Sequence, residues 1–95
     1  MKVVYKITYP NGKIYIGKDL TNTLTYFGSV DSKIVELDFN ESERKDFTVR
    51  KEILFESESV ETINKAEVEM ILKYRSNDPA IGYNRWPKHK SADGA

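Results

Sequence analysis

Few of the 95 residues carry side chains suited to chemistry, and they fall into two groups. The first is a carboxylate in an unexpected place. On a helical wheel Glu67 falls between Ile63, Met70, Ile71 and Tyr74, inside an apolar stripe, while Glu69 lies to its side. A carboxylate facing a core is costly unless a cation pairs with it or a metal binds it. An Arg or Lys partner, or a helix covered on part of its length, is the plainer explanation; Glu67 is still the leading metal-ligand candidate. The second group is a pair of phenols, Tyr5 and Tyr15, set in stretches rich in β-branched and aromatic residues. Other chemistries lack their parts. With no cysteine, a disulfide framework and a thiolate zinc site are excluded. The single histidine, His89, sits in a Lys88-His89-Lys90 tail and reads as solvated. No Ser or Thr forms a nucleophile arrangement with it, and there is no Gly-rich phosphate loop.

Where the phenols point depends on the turn between their strands. Residues 2–9 and 13–18 flank Pro10-Asn11-Gly12 and read as a hairpin. A two-residue Asn11-Gly12 turn would put Tyr5 and Tyr15 on opposite faces. Pro10 favours a three-residue loop instead: proline presets the first turn position, Asn11 suits the second, and Gly12 takes the left-handed bulge. That register pairs Ile7 with Tyr15, so Tyr5, Ile7 and Tyr15 share one face beside Gly17, which leaves room for a ligand backbone. For any single tyrosine, ordinary sheet packing is the commoner role.

The remaining elements follow from pattern. Residues 19–32 read as a loop leading to a short helix near 31–38, and residues 39–47 are polar and ambiguous. Residues 49–55 alternate as a third strand with both faces partly covered. Residues 60–75 form the best helix, with Ser59 as N-cap, Glu58 and Glu61 at its positive end, Lys73 and Arg75 at its negative end, and Pro79 closing it. The expectation is one α+β domain over 1–86 and a loose tail over 87–95.

Fifteen basic residues balance fifteen acidic ones, which at first argues against a nucleic-acid partner. The balance is uneven along the chain. Residues 1–18 carry four lysines and no acid, residues 36–69 eleven acids against five bases, and residues 70–90 five bases against one acid. A fold joining the two ends would make a basic face backed by an acidic one, although such swings are common on surfaces. No apolar run approaches the roughly 20 residues of a membrane helix and the start lacks a secretory core, so a cytoplasmic protein with no membrane partner is expected. Trp86 beside Arg85 has two readings, stacking on a base or the commoner capping of a core edge.

Taken in order, Val3-Val4-Tyr5 and Asn11-Gly12-Lys13-Ile14-Tyr15-Ile16-Gly17-Lys18 resemble the paired motifs of the GIY-YIG nuclease superfamily. Ala66-Glu67, Ile71 and Gly82-Tyr83-Asn84 resemble its helix glutamate and terminal asparagine motifs. Tyr26-Phe27-Gly28-Ser29 and the stretch from Asp46-Phe47 through Glu52-Ile53-Leu54 are similar to a phage and homing-endonuclease branch. Each motif alone is common; their order and spacing over residues 3–84 make the resemblance.

The resemblance implies a small three-stranded antiparallel sheet flanked by helices and hydrolysis of a DNA phosphodiester with one Mg²⁺ or Mn²⁺. It implies Tyr5 as general base or water-positioning phenol, Tyr15 as its partner near the scissile phosphate, Glu67 on the metal with Glu69 as fallback, and Asn84 supporting the site or touching phosphate. Lys13, Gly17, Lys18 and Arg85 would lie along DNA. Ionising a free tyrosine at pH 7 costs roughly 4 kcal/mol, so a lysine or the metal must lower it, or the phenol must pass a proton in the transition state. The sequence departs from the family in two places. Val3 stands for the first glycine, and no arginine follows the second tyrosine by about ten residues; none occurs before Arg44. Lys33 can replace that arginine as a point charge without a bidentate fork, and Arg44 or Arg50 only through an unusual path. A catalytically degenerate DNA-binding or interaction domain is therefore the alternative. So small a domain would take its targeting from a partner protein, a homo-oligomer or weak specificity, in the cytoplasm of a bacterial or phage-infected cell.

Overall fold

Pro10, Asn11 and Gly12 build the turn that orders the sheet. The Gly12 N–H donates to the Tyr9 carbonyl at 2.9 Å, and Gly12 adopts φ of 87°, a conformation that costs a residue with a Cβ. The two strands it joins are β1 (Lys2–Thr8) and β2 (Ile14–Asp19), antiparallel with Ile7 opposite Tyr15 and Tyr5 opposite Gly17, the three-residue-loop register. The computed structural model describes residues 1–89.

β3 (Arg50–Ser57) pairs antiparallel with the other side of β1, giving the order β2-β1-β3 with a bulge opposite Val4 and Tyr5. Five of its eight residues are half-buried while Arg50, Ile53 and Glu56 are exposed, so it is only partly covered, as its alternation predicts. One face of the sheet is covered by α3 (Val60–Tyr74), whose Ile63, Ala66 and Ile71 pack on Val4 and Ile16. On the other face Tyr5, Ile7 and Tyr9 pack with Phe39, Tyr83 and Val35 of α1 (Ser32–Leu37). The ambiguous segment 39–47 contains a helix, α2 (Glu41–Lys45), started by a reciprocal capping box between Asn40 and Glu43. Among the described residues no helix is long and apolar enough to cross a membrane.

Two boundaries differ from expectation. α3 stops at Arg75, which takes a left-handed conformation with φ of 60° and turns its N–H back to the Ile71 carbonyl. Pro79 lies beyond that cap and does not close the helix. The domain also runs past residue 86: Asn77 is buried and its Nδ2 donates to the Pro87 carbonyl at 2.7 Å. Residues 90–95 of the expected tail lie outside the described residues.

The outer edge of β2 is sealed by the chain after α3. Ile14 donates to the Ile81 carbonyl at 3.1 Å and accepts from the Tyr83 N–H at 2.9 Å, with Gly82 bridged beside it. A Cβ on Gly82 would lie 2.5 Å from the Ser76 carbonyl oxygen and 2.6 Å from that of Ile14, both backbone atoms that cannot swing aside. Gly82→Ala is therefore expected to cost about 3 kcal/mol, the upper range for overpacking. A urea-denaturation midpoint equal to that of the wild type would show that this seam does not hold the fold.

Candidate active site

The seam at the β2 edge also shapes a cleft of about 340 Å³. Tyr15 lines it from β2, Glu67, Val68 and Ile71 from α3, Ser29 to Asp31 from the loop before α1, and Tyr83 to Trp86 from the returning chain. Four residues singled out in the sequence, Tyr15, Glu67, Asn84 and Arg85, thus meet in one place.

Each is held differently. Asn84 grips the backbone of Ile16: its Oδ1 accepts from the Ile16 N–H at 2.8 Å and its Nδ2 donates to the Ile16 carbonyl at 2.7 Å. It supports the site by fixing β2 next to Tyr15. Removing it leaves two backbone groups without their protein partner, so Asn84→Ala should cost about 2 kcal/mol. Thermal melts check this, and an unchanged Tm would mean that the strand is fixed by other bonds. Arg85 donates to the Asp31 carboxylate at 3.1 Å and is largely exposed, leaving its other N–H groups available.

Glu67 is half-buried, as its place in the apolar stripe implies. Burial pushes its carboxyl above the ordinary range, while the Lys18 ammonium and the Lys18 backbone N–H pull it down. Glu69 is exposed and lies outside the cleft. No group of three or more His, Cys, Asp or Glu side chains able to hold a metal occurs among the described residues. Two carboxylates line the cleft, Glu67 and the Arg85-bound Asp31, and such a set does not fit a structural zinc. It does fit a hard ion such as Mg²⁺, which keeps several waters and takes further ligands from phosphate.

The two phenols share a face but not an environment. Tyr15 is half-buried and opens on the cleft beside Ser29; burial raises its pKa, and the Ser29 side chain opposes the rise. Tyr5 is 1% exposed and lines no part of the cleft. Its ring meets Tyr26 edge-on at 5.9 Å, with the Lys51 ammonium 5.3 Å from its centre. Burial and then the neighbouring Tyr15 push its pKa far up. Tyr26 and Glu67 push it the same way. The space beside Gly17 is filled as well: a Cβ there would sit 2.3 Å from the Tyr5 hydroxyl, so the ring of Tyr5 occupies the room expected for a ligand backbone. Gly28, at φ of 94°, brings the loop over both rings just as closely.

The expected cations are mostly engaged elsewhere. Lys13 bonds Asp38 at 3.0 Å, within a network in which the Tyr83 hydroxyl donates to Asp38 at 2.7 Å and accepts from Asn11 at 2.9 Å. Lys18 donates to Asn64 on α3, and Lys6 pairs with Glu52 at 3.2 Å. The chain ends do meet, but acids interleave with the bases instead of leaving an unbroken basic face. Lys33 is exposed on the first turn of α1, outside the cleft. Arg44 donates to the Phe39 carbonyl, and Arg50 pairs with Glu52. The guanidinium in the cleft is that of Arg85. His89 lies 3.8 Å from Asp78.

Sequence reasoning missed Ser29 and Asp31 as site residues: their small polar side chains carry no periodicity, and Ser29 figures only within the Tyr26–Ser29 stretch of the resemblance. Compared with protein-family models, with curated proteins and with solved structures, the chain gives no match.

Proposed function

We propose that this protein is a divalent-metal-dependent DNA endonuclease of GIY-YIG type, hydrolysing phosphodiester bonds at the β2-edge cleft. One observation carries the reading: Tyr15, Glu67, Asn84 and Arg85, drawn from three distant parts of the chain, line a single cleft. Glu67 would hold one Mg²⁺ or Mn²⁺. Such an ion, when bound, supplies Lewis-acid stabilisation of charge on the phosphate and the leaving oxygen. Arg85 takes the place of the arginine missing after the second tyrosine, offering a planar fork to phosphate oxygens while Asp31 steadies it. The Tyr15 hydroxyl orients a water or a phosphate oxygen. Tyr5, behind it, positions the Tyr15 ring and the loop bearing Ser29. Asn84 keeps β2 at a fixed distance from α3.

The burial of Tyr5 favours one other reading, a domain of the same fold that binds DNA without cutting it. Plasmid nicking with Mg²⁺, beside a gel-retardation measurement, separates the two. Nicked circles that require both the metal and Glu67 support the endonuclease; retardation without nicking supports the silent binder. Neither signal sinks both.

A further inference from the structure

Trp86 sits at the mouth of the cleft with 73% of its surface exposed, so it does not cap a core edge. Its neighbours in the chain are fixed. The Asn84 N–H donates to the Ser76 carbonyl at 3.0 Å and its side chain holds Ile16, while the Pro87 carbonyl accepts from buried Asn77. A large flat side chain is thus presented to solvent on a braced backbone, next to Glu67 and Tyr15. Among the described residues no aromatic ring or cation packs on the indole. Leaving it bare in water forgoes the apolar burial that the ring would gain in a core.

We propose that Trp86 is a stacking platform for a nucleobase that has lost one of its own stacking neighbours, so that the cleft selects single-stranded or unpaired DNA over continuous duplex. The inference rests on the DNA reading above and adds to it the form of the substrate. Its basis is geometric. A base inside a duplex is covered on both faces and offers nothing to an indole, whereas an unpaired base offers a whole face. The cleft, at about 340 Å³, lies at the small end of ligand sites and suits one nucleotide better than a helix. Arg85, next in the chain, places a cation where the phosphate of that nucleotide would lie.

Trp86 is the only tryptophan, so its emission reports the site alone. The test titrates the full chain, without divalent metal, with a short oligothymidylate and with a duplex of equal length. The single strand should quench the emission and bind more tightly than the duplex. Trp86→Ala should weaken single-strand binding by about 5- to 150-fold, the range for loss of one base stack, with little effect on the duplex. Trp86→Phe should keep most of the affinity, separating stacking from any disturbance of the fold. Equal loss on both probes, or no loss on the single strand, overturns the proposal. A wild type that nicks and binds duplex while its emission ignores the single strand overturns this inference alone. A wild type that binds neither probe removes the DNA reading and this one with it.

Discussion

Glu67→Gln is expected to lower nicking by about three orders of magnitude and, at pH 7, to raise the melting temperature. The first effect follows from losing the carboxylate proposed to hold the ion, whose contribution of several kcal/mol converts at about 1.4 kcal/mol per tenfold. The second follows from burial. The carboxyl of Glu67 is raised by desolvation, with Lys18 opposing. A carboxyl whose pKa rises on folding binds its proton more tightly in the folded chain, so its ionised form costs stability. That cost is absent below the ordinary carboxylate pKa of about 4, grows as pH climbs to the raised value, and is constant above it. Glutamine keeps the shape and removes the charge. The gain in Tm should therefore be present at pH 7 and vanish near pH 4. Melts at both pH values and a nicking time course measure the pair of effects. Undiminished nicking would remove Glu67 from the site. A lower Tm at pH 7 would mean that Lys18 more than offsets desolvation.

Glu67 is legible in the sequence because an acid inside an apolar stripe violates the helical pattern. The hairpin register is legible for a similar reason, since Pro10 fixes its φ and Gly12 admits the positive φ that the three-residue loop needs. The depth of Tyr5 is not. Strand alternation states which face a side chain takes but not what covers it, and the cover here is a loop pressed down at Gly28. The path that brings the Arg85 guanidinium into the cleft is also hidden. Arg85 reaches the cleft because Asn84 stitches an irregular segment to β2 through side-chain bonds, which leave no periodic trace in sequence. The end of α3 escapes for the opposite reason: a left-handed Arg75 goes against the usual preference for glycine at that position, and Pro79 is the louder signal. α2 does carry its mark, Asn40 followed three residues later by Glu43, but no apolar face confirms so short a helix.

Tyr15→Phe is expected to lower nicking by one to two powers of ten, and Tyr5→Phe by less, because only Tyr15 opens on the cleft. The pH profile shows what the hydroxyl does. Burial raises both phenols above the ordinary value of 10.0, so both are protonated throughout the neutral range. Acting as a free phenolate base, Tyr15 would make the rate climb about tenfold per pH unit until its raised pKa was reached. Acting as a donor that orients water or phosphate, it is already in its working form at pH 7. The rate should then rise once, as Glu67 ionises, and stay level to about pH 9. In Tyr15→Phe the whole curve should drop while the Glu67 limb keeps its midpoint, since the ionisation that sets that limb is untouched. Measuring kcat/KM from about pH 5 to 9.5 on both variants and the wild type decides the matter. A wild-type rate still climbing at about pH 9, with the climb lost in Tyr15→Phe, would make the phenolate the base. The same loss in Tyr5→Phe alone would move that role to the buried phenol and require the loop over Gly28 to open before DNA is cut.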